Sequence, residues 1–201
     1  MGNVGRLGAS RGPGASSGAL RSRTDGGRTR AGFSIVEVAI GIVLLTIAMS
    51  GLLGGMVSFA LLARVSRENA LALQAARAMA EKAQDTSFAQ VFATFNANPN
   101  DDPGGPGAAP GKDFSVRGLC AQPGDPDGRV GEFVFPTVSG ALREDVVDAG
   151  LSMPRDLDAD GAVDASDHAL NYVLLPMRIR VQWRGAAGDR TLAINPLLTN
   201  R

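Results

Sequence analysis

Acidic side chains stand at positions 156, 158, 160, 164 and 167, with Gly161 among them. Counted from Asp156, the aspartates fall at places 1, 3, 5, 9 and 12, and the glycine at place 6. A twelve-residue calcium loop needs oxygen ligands at those places and a glycine for the sharp turn. Ala162 at place 7 would offer its backbone carbonyl, and Val163 at place 8 an apolar anchor. Without a cation, so many carboxylates at close range repel one another. The set Asp156, Asp158, Asp160, Ala162, Asp164 and Asp167 is therefore a candidate Ca²⁺ ligand set, with a structural role. The alternative is a solvated acidic turn.

The loop resembles the calcium loop of dockerin-type repeats, with valine at place 8 and aspartate, not glutamate, at place 12. There is one copy, and a strand pattern follows it in place of a long helix. A paired EF-hand domain is not expected.

Other reactive side chains are scarce. Cys120 is the only cysteine and His168 the only histidine. Cys/His nucleophile pairs and zinc clusters are nearly excluded, and no disulfide can form within the chain. No catalytic constellation is visible, so the expectation is a chain that is not an enzyme. Cys120 reads as a small half-buried apolar residue, His168 as a surface residue, and Tyr172 and Trp183 as core.

A second carboxylate stands out by isolation. Glu37 is the only charged residue between Arg30 and Arg64, and positions 38 to 63 form 26 uncharged residues in a row. A helix of that length would run about 39 Å, enough to cross a hydrocarbon core of about 30 Å. A carboxylate at the edge of such a segment is costly unless a cation pairs with it. Ahead of it, residues 1–32 carry six arginines and one aspartate, a net charge of +5. Taken from the totals of 20 and 20, this leaves 14 basic and 19 acidic residues in 33–201, a net charge of −5. A basic flank places the N-terminus in the cytoplasm and the acidic body outside the inner membrane.

At the junction stands Ala31-Gly32-Phe33-Ser34-Ile35-Val36-Glu37-Val38. This resembles the type IV prepilin and pseudopilin processing signal, with serine where the family commonly has threonine. The resemblance implies cleavage between Gly32 and Phe33 by a prepilin peptidase, N-methylation of Phe33, and a role for Glu37 in assembly. The freed α-amine of Phe33 is a cation available to Glu37, and the family favours that pair between neighbouring subunits. Partners would be other pilins or pseudopilins, met through the N-terminal helix. Gly54 and Gly55 occupy the region where many major pilins have proline, which resembles a minor pilin or minor pseudopilin. The implied function is a structural subunit of a type IV pilus or type II secretion filament. The alternatives are a filament-borne calcium-stabilised adhesin and an unprocessed single-pass anchor. The body is acidic, so no specific nucleic-acid partner is expected.

The elements that must carry these residues follow from periodicity. The expected fold class is α+β, a long N-terminal helix packed on a small antiparallel sheet. Residues 1–32 form a disordered, removable leader, and 33–63 a membrane or filament-core helix. Residues 64–95 continue it amphipathically, with Leu71, Ala75, Met79 and Ala83 on one face. Residues 96–112 are a flexible loop. Residues 113–201 are a β-rich head, with strands over 114–119, 130–138, 172–183 and 190–194, the last two forming a hairpin. Within the third of these, Met177, Ile179, Val181 and Trp183 alternate with Arg178, Arg180, Gln182 and Arg184. The arginines read as a solvated face.

Overall fold

The computed structural model describes residues 32–200. Of the expected leader, residues 1–31 lie outside the described residues. The chain divides into two compact units between Ile47 and Ala48.

In the first unit, Gly32, Phe33 and Ser34 precede the helix α1, Ile35–Asp85. Ser34 caps it: its Oγ accepts from the Val36 amide at 3.3 Å, satisfying one of the amides a helix start leaves unpaired. Glu37 lies in the first turn, where an acidic side chain complements the positive end of the helix dipole. The large apolar side chains here are exposed, Phe33 at 80 % and Ile35 at 88 %. α1 is the one helix among the described residues long and apolar enough to cross a membrane, its most apolar window having a mean hydropathy of 2.3.

In the second unit α1 changes character. Ala72, Ala76 and Ala83 are fully buried, while Leu71, Ala75 and Met79 are half-buried at the margin. The expected face is displaced by about one residue. Small side chains occupy the closest approach, and the longer ones flank it. The helix ends at Asp85. Ser87, with φ −52° and ψ 126°, turns the chain before α2, Phe88–Phe95. The expected continuous helix to 95 is thus two helices. Asp85, Thr86 and Ser87 are weak helix formers whose side chains compete for backbone groups.

The main sheet has four antiparallel strands in the order β1-β2-β6-β7. They are β1 Asp113–Phe114, β2 Gly131–Val134, β6 Arg178–Gly185 and β7 Gly188–Ile194. The β6–β7 hairpin appears as expected, closing through Gly185 and Gly188. On β6 the alternation holds: Ile179, Val181 and Trp183 are buried, with Met177 buried just before them. The arginines are held by acids: Arg178 by Asp148, Arg180 by Glu132 and Arg184 by Asp189.

The expected strand over 172–183 is divided. Pro176 has no amide to donate and ends β5, Leu174–Pro176, which pairs with β8, Leu197–Thr199, in a separate sheet. β8 was not expected. The strand over 130–138 is likewise broken at Pro136, after which β3 Thr137–Val138 and β4 Ala141–Leu142 form their own hairpin. The expected strand over 114–119 shrinks to β1.

One apolar cluster joins the buried alanines of α1 to α2 and the sheet. Aromatic pairs fasten α2 to it: Phe95 stacks on Phe133 at 4.5 Å, and Phe92 meets Phe135 edge-on at 5.3 Å. The Tyr172 hydroxyl donates to the Phe88 carbonyl at 2.6 Å. Tyr172 and Trp183 are core residues, as expected. Cys120 is exposed, contrary to its expected half-burial, because it sits at the sheet margin and pairs with Arg184 only through an isolated bridge.

Candidate cation-binding site

The acidic loop lies between the 3₁₀ turn Ala149–Leu151 and β5. Its base is fixed by Leu157, fully buried, whose carbonyl accepts from Val173 at 2.8 Å and Leu174 at 2.9 Å. Its far end is fixed on β4. Asp167 Oδ1 accepts from the Leu142 amide at 3.0 Å, and the His168 amide donates to the Leu142 carbonyl at 2.9 Å.

Within the loop the carboxylates hold the backbone. Asp156 accepts from Ala159 at 2.6 Å and Gly161 at 2.9 Å, and Asp160 accepts from Ala162 at 2.7 Å. Asp158 accepts from Asp160 at 3.1 Å. Gly161 has φ +91°, a conformation that glycine adopts without a Cβ penalty, and it occupies the place where the spacing requires a sharp turn.

Asp156, Asp158 and Asp160 converge, each with a ligand oxygen within 4.8 Å of the other two. Asp164 and Asp167 do not join that group in this geometry. Asp164 Oδ1 accepts from Ser166 at 2.6 Å and faces His168 Nε2 at 3.2 Å, while Asp167 Oδ1 takes the Leu142 and Ala169 amides. Hydrogen bonds from Ser166 and His168 hold the exposed Asp164 carboxyl below the usual carboxylate range. Ala162 has its amide on Asp160. Gly32, Phe33 and Glu37 are exposed in the other unit, and no ion pair engages Glu37 among the described residues.

Two residues unforeseen in the sequence complete the site. Glu144, 1 % exposed, reaches into the loop from the end of β4. Its Oε1 accepts from Leu157 at 2.5 Å and Asp158 at 3.4 Å, and its Oε2 from Asp164 at 3.1 Å. One carboxylate thereby ties the two limbs of the loop together. Nothing in the local pattern distinguishes Glu144 from its exposed neighbour Asp145, because its partners lie more than ten residues downstream.

The other is His168, which is buried at 4 % exposure and is not a surface residue. The Leu142 pairing draws its backbone into the head, and three carboxylates surround its ring. Nε2 lies 3.7 Å from Glu144 and 3.2 Å from Asp164, and Nδ1 lies 3.4 Å from Asp158. Burial alone would push the imidazole down, but the Asp164 hydrogen bond and the charges of Glu144 and Asp158 outweigh it and hold the ring above its ordinary value.

No family model matches the chain, and neither a curated protein nor a solved structure matches it.

Proposed function

We propose that the chain is a structural subunit, a minor pilin or pseudopilin, of a type IV pilus or type II secretion filament. A prepilin peptidase cuts it between Gly32 and Phe33, and Phe33 is then N-methylated. The observation that carries this reading is the junction itself. Glu37 stands alone in the first turn of a helix whose following 26 residues are uncharged, directly after Gly32-Phe33 in the processing pattern. An exposed apolar helix serves twice: lipid covers it before assembly, and neighbouring helices cover it in a filament. Glu37 then takes its cation, the Phe33 amine, from another subunit. The N-terminal flank is cytoplasmic and the head extracytoplasmic.

The test is the mass of the chain recovered from cells with and without prepilin peptidase activity. The expected mature chain begins at methylated Phe33 and appears only when the peptidase is active. An unchanged mass in its absence would identify an unprocessed single-pass anchor.

The head binds Ca²⁺ as a structural ion through the acidic loop. Support comes from the convergence of Asp156, Asp158 and Asp160, with Gly161 at the turn. Asp164 and Asp167 are expected to swing inward as the ion offsets the charge they would otherwise meet. Calcium should raise the melting temperature of the full-length chain in mild detergent, reversibly with EGTA, and Asp160→Ala should abolish the rise. Equal stability of both proteins with and without calcium would refute this assignment. A calcium-rigidified head is also suited to carry a binding surface on the filament. Pulldowns with other pilins and with surface ligands separate assembly from adhesion.

A further inference from the structure

His168 presents a problem that hydrogen bonds within the head do not solve. Nε2 lies 3.2 Å from Asp164 Oδ1, and in the neutral tautomer in which it donates there, Nδ1 carries a lone pair. Nδ1 is buried and has no hydrogen-bond partner among the described residues. The closest acid to it, Asp158 Oδ2 at 3.4 Å, is another acceptor and lies off the axis of the ring nitrogen. The side chains involved are 5 % and 14 % exposed, so bulk water does little to separate them. Two lone-pair donors held this close in a low-dielectric site repel, and either a proton on Nδ1 or a metal ion between them relieves that repulsion.

We propose that His168 Nδ1, Asp158 and Glu144 bind a divalent transition ion of the zinc class, in a site separate from the oxygen-only calcium loop. Ligand atoms of the three residues all lie within 4.8 Å of one another. Two ligands each about 2.0–2.1 Å from a tetrahedral zinc ion stand about 3.3–3.4 Å apart, which is the Nδ1–Oδ2 separation. An ion at that vertex would lie on the Nδ1 axis and leave Oδ2 to one side of it, in keeping with a 3.4 Å contact that is not a hydrogen bond. An imidazole nitrogen suits zinc, copper, iron or nickel, whereas calcium takes oxygen.

The surroundings have the arrangement that ligating histidines use. The other ring nitrogen donates to a carboxylate, here Asp164, which fixes the tautomer and aims Nδ1. The carboxylate ligand is itself oriented: Asn171 Nδ2 donates to Asp158 Oδ2 at 2.7 Å. Asp164 is thus a positioning residue. With three protein ligands, the fourth place is left to water or to a partner's donor group. Scarcity of cysteine and histidine argues against a cluster of thiolates and imidazoles. It does not argue against one imidazole joined to two carboxylates.

This inference rests on neither the filament reading nor the calcium reading, although Asp158 belongs to both acidic groups. Because His168 is the only histidine, the untagged full-length chain labelled with ¹⁵N-histidine yields a single imidazole spectrum. In mild detergent without added calcium, Zn²⁺ is expected to move the Nδ1 signal to its metal-bound position at one equivalent. Nε2 should stay protonated. A ring that responds only as a proton binds, or that responds at Nε2, would overturn the site.

Co²⁺ provides the second readout. Its visible bands should appear with the wild-type chain and vanish in His168→Gln. Asp164→Asn should weaken binding about 10–100-fold, as expected for loss of an orienting partner. Asp160→Ala should leave the bands intact. Bands that survive His168→Gln would assign the ion to the loop and overturn the proposal. If His168→Gln does not fold, the wild-type imidazole spectrum decides alone.

Discussion

The apolar part of α1 and the head treat the same kinds of side chain in opposite ways. In the head, isoleucine, phenylalanine and most leucines are buried or half-buried, with Leu170 and Leu197 the exposed exceptions, and the carboxylates of Glu144, Asp148 and Glu132 each have partners in the same chain. In the first part of α1 the large apolar side chains are outside, and Glu37 has no ion-pair partner among the described residues. A surface of that kind is stable only in lipid or against other protein. The head thus covers its own apolar side chains, while the first part of α1 leaves its own uncovered. This division is what a filament subunit needs, because the same helix must be stable first in a membrane and then among its neighbours.

The sharpest way to break the comparison is to remove one large apolar side chain from each region. Trp183 is 1 % exposed and sits at the centre of the cluster joining α1, α2 and the sheet. Trp183→Ala should cost about 3–5 kcal/mol, the range for deleting a buried aromatic side chain. Leu45, at 61 % exposure, is as large as a core leucine. Leu45→Ala should shift the unfolding midpoint by less than about 0.5 kcal/mol, as for an open surface position. Urea titrations of the two full-length proteins in the same detergent, followed by circular dichroism, measure both. A comparable loss from Leu45→Ala would mean that the N-terminal helix supports the head after all.

The same contrast applies to the lone acids. Glu144→Ala strands the buried amide of Leu157 and the part-buried amides of Asp158 and Asp164, and should destabilise the head by about 3 kcal/mol, since each abandoned buried group costs about 1–3 kcal/mol and the part-buried ones less. Glu37→Ala should leave the unfolding midpoint where it is and act only on assembly. A variant of Glu37 that lowers the melting temperature of the isolated chain would end the claim that its partner lies elsewhere.

What could be read in advance follows the range of the forces involved. The apolar stretch of α1 declares itself through 26 uncharged residues, and β6 through a strict alternation from Met177 to Trp183. Both patterns are local. The turn glycine at Gly161 was equally legible, because its φ of +91° follows from a spacing rule. The division between β5 and β6 was not, although Pro176 marks it, because β5 is a strand only by virtue of β8 some twenty residues later. Burial of Glu144 and His168 depends on partners in 157–174 and on β4, and no local pattern marks a buried acid. On α1, Ala83 of the expected face is fully buried, whereas Leu71 and Ala75 yield to Ala72 and Ala76 one residue on; at Leu71 hydrophobicity misleads, because alanine is what lets a helix lie close to a sheet.

The smallest expected effect concerns the head's surface, where internal pairing is weakest. Asp148 accepts from the amides of Gly150 at 2.8 Å and Leu151 at 3.3 Å, capping the 3₁₀ turn, and from Arg178 at 2.7 Å. The Arg178 hydrogen bond, above all, holds its carboxyl below the ordinary value of 3.8. A folded-state value below the unfolded one means that the charged form is favoured by folding. The contribution is therefore complete above about pH 4–5, and it is lost as pH falls through 3.8 toward the lower folded-state value. At neutral pH, Asp148→Asn keeps a capping oxygen but loses the charge that pairs with Arg178, and should cost about 0.2–1 kcal/mol, the usual worth of a part-exposed ion pair. The gap between wild type and variant should narrow on acidification, because the wild-type carboxyl becomes as neutral as the amide. Melting curves of both proteins across that range test the sign.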